Sequence, residues 1–127
     1  MEAGANVNLP LTPEALAAAY EYLKSCPPCS RWNLPEAEDV VFKVSRRSTE
    51  FGRYQKVGDK HTISMSAKSI GTTETLMRYL AHECIHLHLE ATGMESKGGN
   101  LDTHNAAFRK FAAQVCRVHG FDPKAFY

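Results

Sequence analysis

The residues best equipped for chemistry are His82-Glu83-Cys84-Ile85-His86, a His-Glu-x-x-His spacing. On a helix, residues four apart stand one turn apart on the same face, so both imidazoles can reach one metal ion. Glu83 follows His82 directly, projects close to that face, and can take a proton from a water activated by the metal. The alternative is a pair of surface histidines on an amphipathic helix, and the neighbouring residues argue against it. Leu76, Leu80, Cys84 and Leu87 form one apolar stripe, Met77 widens it, and Ala81, Ile85 and Leu89 put apolar groups on the far side. A helix apolar nearly all round is a buried helix. Histidine and glutamate placed in it need partners, and a metal ion satisfies that need.

The elements that must position these groups follow from capping residues. Gly71-Thr72-Thr73-Glu74 starts the central helix, and Gly93 supplies a left-handed stop. A last helix is expected from Asp102 or Thr103 to His119, closed by Gly120 and Pro123. A catalytic zinc has three protein ligands and an open position for water. His104, expected in the first turn of that last helix, shares a face with Phe108, Phe111 and Val115, so it points inward towards His82 and His86. The alternative for His104 is a core histidine hydrogen-bonded to backbone. Glu90 lies one turn beyond His86 but too far along a straight helix to complete a tetrahedron with His82. Asp102 is better placed as a cap or as an acceptor behind a ligand. His88 points nearly opposite His86, and His61 and His119 read as surface or terminal residues.

Upstream, residues 1–11 are polar and expected to be loosely held. Thr12-Pro13-Glu14 opens a helix running to about Lys24, which buries Leu16, Ala19, Tyr20 and Leu23. Cys26-Pro27-Pro28-Cys29 stops it. This Cys-x-x-Cys could be half of a zinc ribbon or a redox pair. A second Cys-x-x-Cys is absent and the motif follows a helix rather than opening one, so it reads as a turn with two thiols. Three strands follow, at Asp39–Arg46, Phe51–Val57 and His61–Ala67, with Gly52 as a bulge or close-approach point and Gly58-Asp59 as a turn. They predict a small antiparallel meander. Lys43, Arg46, Arg47, Arg53, Lys56 and Lys60 fall on or beside it, as a solvated face or as a weak phosphate-contacting patch. Residues 96–100, with Gly98-Gly99, are a candidate mobile loop over the site.

The 127 residues, 43% hydrophobic, suit one compact domain spanning 1–127. A net charge of +1 and a pI near 7.7 create no global field demanding nucleic acid or membrane. There is no run of membrane-spanning length and no signal-peptide pattern, so a cytoplasmic location is the default expectation. The four cysteines lack secreted-scaffold spacing and are expected as free thiols.

Residues 75–86, TLMRYLAHECIH, look like the active helix of the SprT-like (Spartan-like) zinc metalloproteases. That family's third histidine sits in a His-Gly-x-x-Phe segment, and His104-Asn-Ala-Ala-Phe108 is similar to it, with Asn105 in place of glycine. Phe51-Gly-Arg-Tyr54 and Ile63-Ser-Met-Ser66 resemble the strand pair before the family's active helix. The resemblance spans roughly residues 13–122. It implies an α+β, zincin-like fold in which a small antiparallel three-stranded sheet packs on the active helix, with N- and C-terminal helices. It also implies a Zn2+ cofactor held by His82, His86 and His104, with Glu83 as general base, and peptide-bond hydrolysis. In characterised members the substrates are proteins crosslinked to DNA. The four-cysteine ribbon of some relatives and a strongly basic tail are absent here, so the resemblance carries hydrolysis further than DNA dependence.

The function expected is a zinc-dependent endopeptidase acting on protein or peptide substrates, with DNA as a further partner. An extended substrate is expected to add as a strand beside residues 61–67. Tyr54 is a weak candidate for helping the oxyanion. Two other readings compete. One is a regulatory zincin that cuts a single repressor. The other is a binding domain whose zinc is structural, which would close the fourth coordination position.

Overall fold

The computed structural model describes residues 10–94 and 104–127. Helix α1 (Pro13–Ser25) is capped by Thr12, whose hydroxyl accepts from the amide of Ala15, and it buries Leu16, Tyr20 and Leu23. The chain then turns through Cys26 to Cys29, which are free thiols as expected. Burial pushes the Cys29 thiol up to about 12 and raises Cys84 as well, so both are protonated packing groups rather than thiolates.

Three strands follow: β1 (Val40–Ser45), β2 (Gly52–Val57) and β3 (Lys60–Ser66). The fold is α+β, but the sheet is mixed, and the expected antiparallel meander is corrected. The strand order is β1-β3-β2, with β1 parallel to β3 and β2 antiparallel to it. Burial explains the order. β3 carries Thr62, Ile63, Met65 and Ser66 inside, whereas β2 buries only Tyr54 and exposes Arg53, Gln55, Lys56 and Val57. The apolar strand takes the centre and the charged one an edge. A substrate strand therefore cannot add beside residues 61–67, because β3 is paired on both sides. Among the described residues, β2 has a free edge. Gly52 is a point of close approach, since a Cβ there would come within 2.6 Å of Met65 Sδ and 3.0 Å of the Ser64 carbonyl.

Helix α2 (Thr73–Thr92) is capped by Thr72 and ends on Gly93 at φ +77°, as the sequence predicts. Residues 80–89 are all buried, which is why its composition is apolar nearly all round. Its N-terminal half packs on β2, where Tyr79 stacks on Phe51 with ring centroids 4.1 Å apart.

Helix α3 (Ala106–His119) starts later than expected. Asn105 caps it, its side-chain oxygen accepting from the Phe108 amide at 2.9 Å, so His104 stands just before the helix rather than in its first turn. Asp102 and the 96–100 loop lie outside the described residues. A short helix α4 (Pro123–Phe126), capped by Asp122, folds back onto α2 and α3 and buries Phe126. The core draws Leu16 and Leu23 from α1, Ile63 and Met65 from β3, Leu80, Cys84 and Leu87 from α2, and Phe108 and Val115 from α3. Among the described residues, no helix is long and apolar enough to cross a membrane.

Candidate metal centre

His82 and His86 lie one turn apart on α2, 8% and 2% exposed, and face α3. His104 enters from the segment before α3. The three side chains bring nitrogen atoms within 4.8 Å of one another, and among the described residues this is the one group of its kind. Nε2 of His82 and Nε2 of His104 are 3.3 Å apart. Two nitrogens each about 2.0–2.1 Å from the centre of a tetrahedron stand about 3.3–3.4 Å apart, so the observed spacing fits a shared tetrahedral ion.

The tautomer of His82 also fits. Its Nδ1 lies 2.9 Å from the backbone carbonyl of Phe126, and a carbonyl only accepts. Nδ1 therefore carries a proton, and in the neutral form of the ring the lone pair is left on Nε2, which faces His104. The donor set is three imidazoles, the commonest ligands of divalent transition metals. These residues can hold a metal ion.

Phe108 seats the cluster. Its ring lies 4.9 Å from that of His82, 4.7 Å from His86 and 4.4 Å from His104, where it stacks. The His-x-x-x-Phe spacing thus has a physical meaning: one aromatic ring touches all three imidazoles. Asn105 adds a second restraint. Its amide donates to the carbonyl of Met94 at 3.1 Å, joining the end of α2 to the start of α3 beside His104. Arg109 Nη1 donates to the His104 carbonyl at 2.6 Å.

The cluster opens into a cleft of about 150 Å3 bordered by Phe51, Gly52 and Tyr54 of the β2 side, Tyr79 and Glu83 of α2, and Tyr127. Glu83 is 5% exposed and shares this lining with all three histidines. A carboxylate beside these imidazoles can exchange a proton with a molecule in the cleft.

The remaining histidines separate clearly. His88 stacks on Trp32 with centroids 4.7 Å apart, outside the three-histidine group, and burial holds its pKa below the ordinary imidazole value. His119 stacks on Phe121 at the end of α3, half-buried, with its pKa lowered by burial. His61 is not a plain surface residue, and that expectation is corrected. Its Nδ1 pairs with the Tyr54 hydroxyl at 2.6 Å, and burial and then Lys56 lower its pKa against an opposing pull from Glu90. The sequence carried a signal for this pair. A two-residue turn at Gly58-Asp59 sets Val57 opposite Lys60 and hence Tyr54 opposite Ile63, which puts Tyr54 and His61 on one face. The Phe126 carbonyl is a backbone group in a helix the sequence did not announce, and no residue type flags it.

Compared with known proteins, residues 22–125 match a family model described as the SprT-like family. A search of curated proteins returned no match.

Proposed function

Because the chain belongs to the SprT-like family, we propose that it is a zinc-dependent metalloendopeptidase in which His82, His86 and His104 hold the ion and Glu83 is the general base. The observation that carries this reading is the convergence of three imidazole nitrogens beside a buried carboxylate in an open cleft. When bound, zinc lowers the pKa of a water towards about 7 and polarises a carbonyl oxygen.

The chain's own groups do the rest. A Glu83 carboxylate oxygen accepts a proton from the attacking water and then delivers it to the nitrogen of the departing amine. The Phe126 carbonyl keeps the His82 ring in the tautomer whose Nε2 is a lone pair. Phe108 fixes the planes of all three rings and keeps water from beneath them.

The substrate is an extended peptide lying along the free edge of β2. The Ser66 amide donates to the Phe51 carbonyl at 2.8 Å, so in the alternating antiparallel pattern the backbone groups of Gly52, Tyr54 and Lys56 face outward. Gly52 and Tyr54 also border the cleft, so a strand added there passes the metal centre. Metal analysis of purified protein with casein proteolysis tests the reading. One zinc per chain, loss of cleavage on chelation, and a Glu83→Gln variant that keeps zinc but loses at least about a hundredfold in rate are expected. Equal cleavage by that variant removes Glu83 from the mechanism.

A further inference from the structure

On the face of the sheet turned away from α2 lies a second recess, of about 260 Å3, whose lining includes Lys43, Arg47, Glu50, Arg53, Gln55 and Ser64. Register explains its composition. Lys43 of β1, Ser64 of β3 and Arg53 of β2 are consecutive partners on one rung across the sheet, with both cations at its ends. Gln55 and Thr62 share the next rung, and Thr62, only 4% exposed, brings a hydroxyl to the floor. Ser66 and Ser69 donate side-chain hydrogen bonds to the Arg47 carbonyl, which fixes the loop that carries the third cation. Three cations face one carboxylate. Glu50 engages Arg53 through Nη2 at 3.3 Å, and the guanidinium has further N–H donors in its fork.

One strand divides this recess from the catalytic cleft. Along β2, Gly52 and Tyr54 line the cleft while Arg53 and Gln55 line the recess. A peptide paired to the free edge of β2 alternates in the same way, so every second side chain lies on the recess face. The residue opposite Arg53 brings its Cβ to about 4.5–5.5 Å from that of the arginine.

We propose that this recess is a specificity subsite that accepts an aspartate or glutamate side chain of the peptide substrate opposite Arg53. The inference rests on the peptidase reading and deepens it. Arginine's planar fork matches a carboxylate, and Lys43 and Arg47 supply the surrounding positive field. A nucleic-acid strand fits less well. Among the described residues, the recess lining contains no aromatic side chain on which a base could stack, and Glu50 would repel a phosphate.

The test is a set of fluorogenic peptides with Glu, Gln or Lys placed in turn at each of four positions on either side of the scissile bond. The zinc-loaded protein is expected to prefer Glu over Lys at alternate positions only, by up to about fivefold in kcat/KM, the upper end for one cross-strand pair. Arg53→Glu should invert that ratio and Arg53→Gln should abolish it. Reading the ratio keeps the result independent of any general loss of activity in the variants. A ratio that is the same at every position, or one that survives Arg53→Glu, overturns the subsite while leaving the peptidase reading in place. If an oligonucleotide binds and Arg53→Glu releases it while the Glu/Lys ratio stays fixed, the recess belongs to nucleic acid and the inference falls. Failure of the zinc-loaded protein to cut any peptide in the set or casein removes both readings together.

Discussion

Nδ1 of His82 donates to the backbone carbonyl of Phe126 at 2.9 Å, across forty-four residues of chain. The four-residue helix α4 thereby sets the orientation of the first histidine of the cluster. Asp122 caps that helix by accepting from the Lys124 amide at 3.0 Å. Asp122→Ala should cost about 1 kcal/mol of stability and weaken zinc binding by up to about tenfold. Competition with a chromophoric chelator measures it. Unchanged affinity would show that α4 packs without positioning His82.

The histidines inside and outside the cluster should respond oppositely to metal. Zinc at about a hundred times its dissociation constant should stabilise the wild-type protein by about 2.7 kcal/mol. His104→Ala should show no such gain at the same zinc concentration, whereas His88→Gln, altered on the opposite side of α2, should keep it. Thermal unfolding with and without zinc distinguishes them. A zinc-stabilised His104→Ala protein would mean that some other group completes the site.

Gly52 is demanded by crowding rather than by dihedral angle. A Cβ at this position meets Met65 Sδ at 2.6 Å and the Ser64 carbonyl at 3.0 Å, and Met65 is fully buried. Gly52→Ala should therefore destabilise the protein by about 1–3 kcal/mol, as overpacking does. Urea denaturation provides the number, and a neutral result would mean that Met65 and β3 yield more readily than their burial suggests.

Acid should destabilise the fold partly through His88. Burial lowers its pKa in the folded state, so folding disfavours the charged ring. Stability from such a group is present above the unfolded value of about 6.5 and is lost as pH falls through it towards the lower folded value. In chelator-treated protein, the loss of stability between about pH 7 and pH 5 should be smaller in His88→Gln than in wild type. Identical slopes would exclude His88 as a contributor.

The local signals in the sequence were strong, and the long-range ones were not. The ends of α2 were legible because Thr72 and Gly93 are a cap and a stop whose chemistry acts within one turn. His82 and His86 were legible because helical spacing alone places them together. His104 is legible through the apolar residues that follow it, but it stands before α3 rather than in its first turn, because Asn105 caps the helix. The sheet order escaped because each strand's alternation says which face is buried and nothing about which neighbour it takes. Only the comparison of β3 with β2, one largely buried and the other largely charged, hints that β3 is central. The Phe126 contact lay beyond reach because a backbone carbonyl has no identity in the sequence.

The clasp between Asn105 and Met94 ties the two ends of the connection that precedes His104 to each other. Because the chain's exit from α2 and its return before α3 are tied to each other, His104 takes its place from its immediate neighbours and not from the length of the connection behind it. Closing a longer excursion across fixed ends adds only about 0.6 kcal/mol for each doubling. Lengthening the connection between these two points should thus leave the spacing of the three imidazoles unchanged.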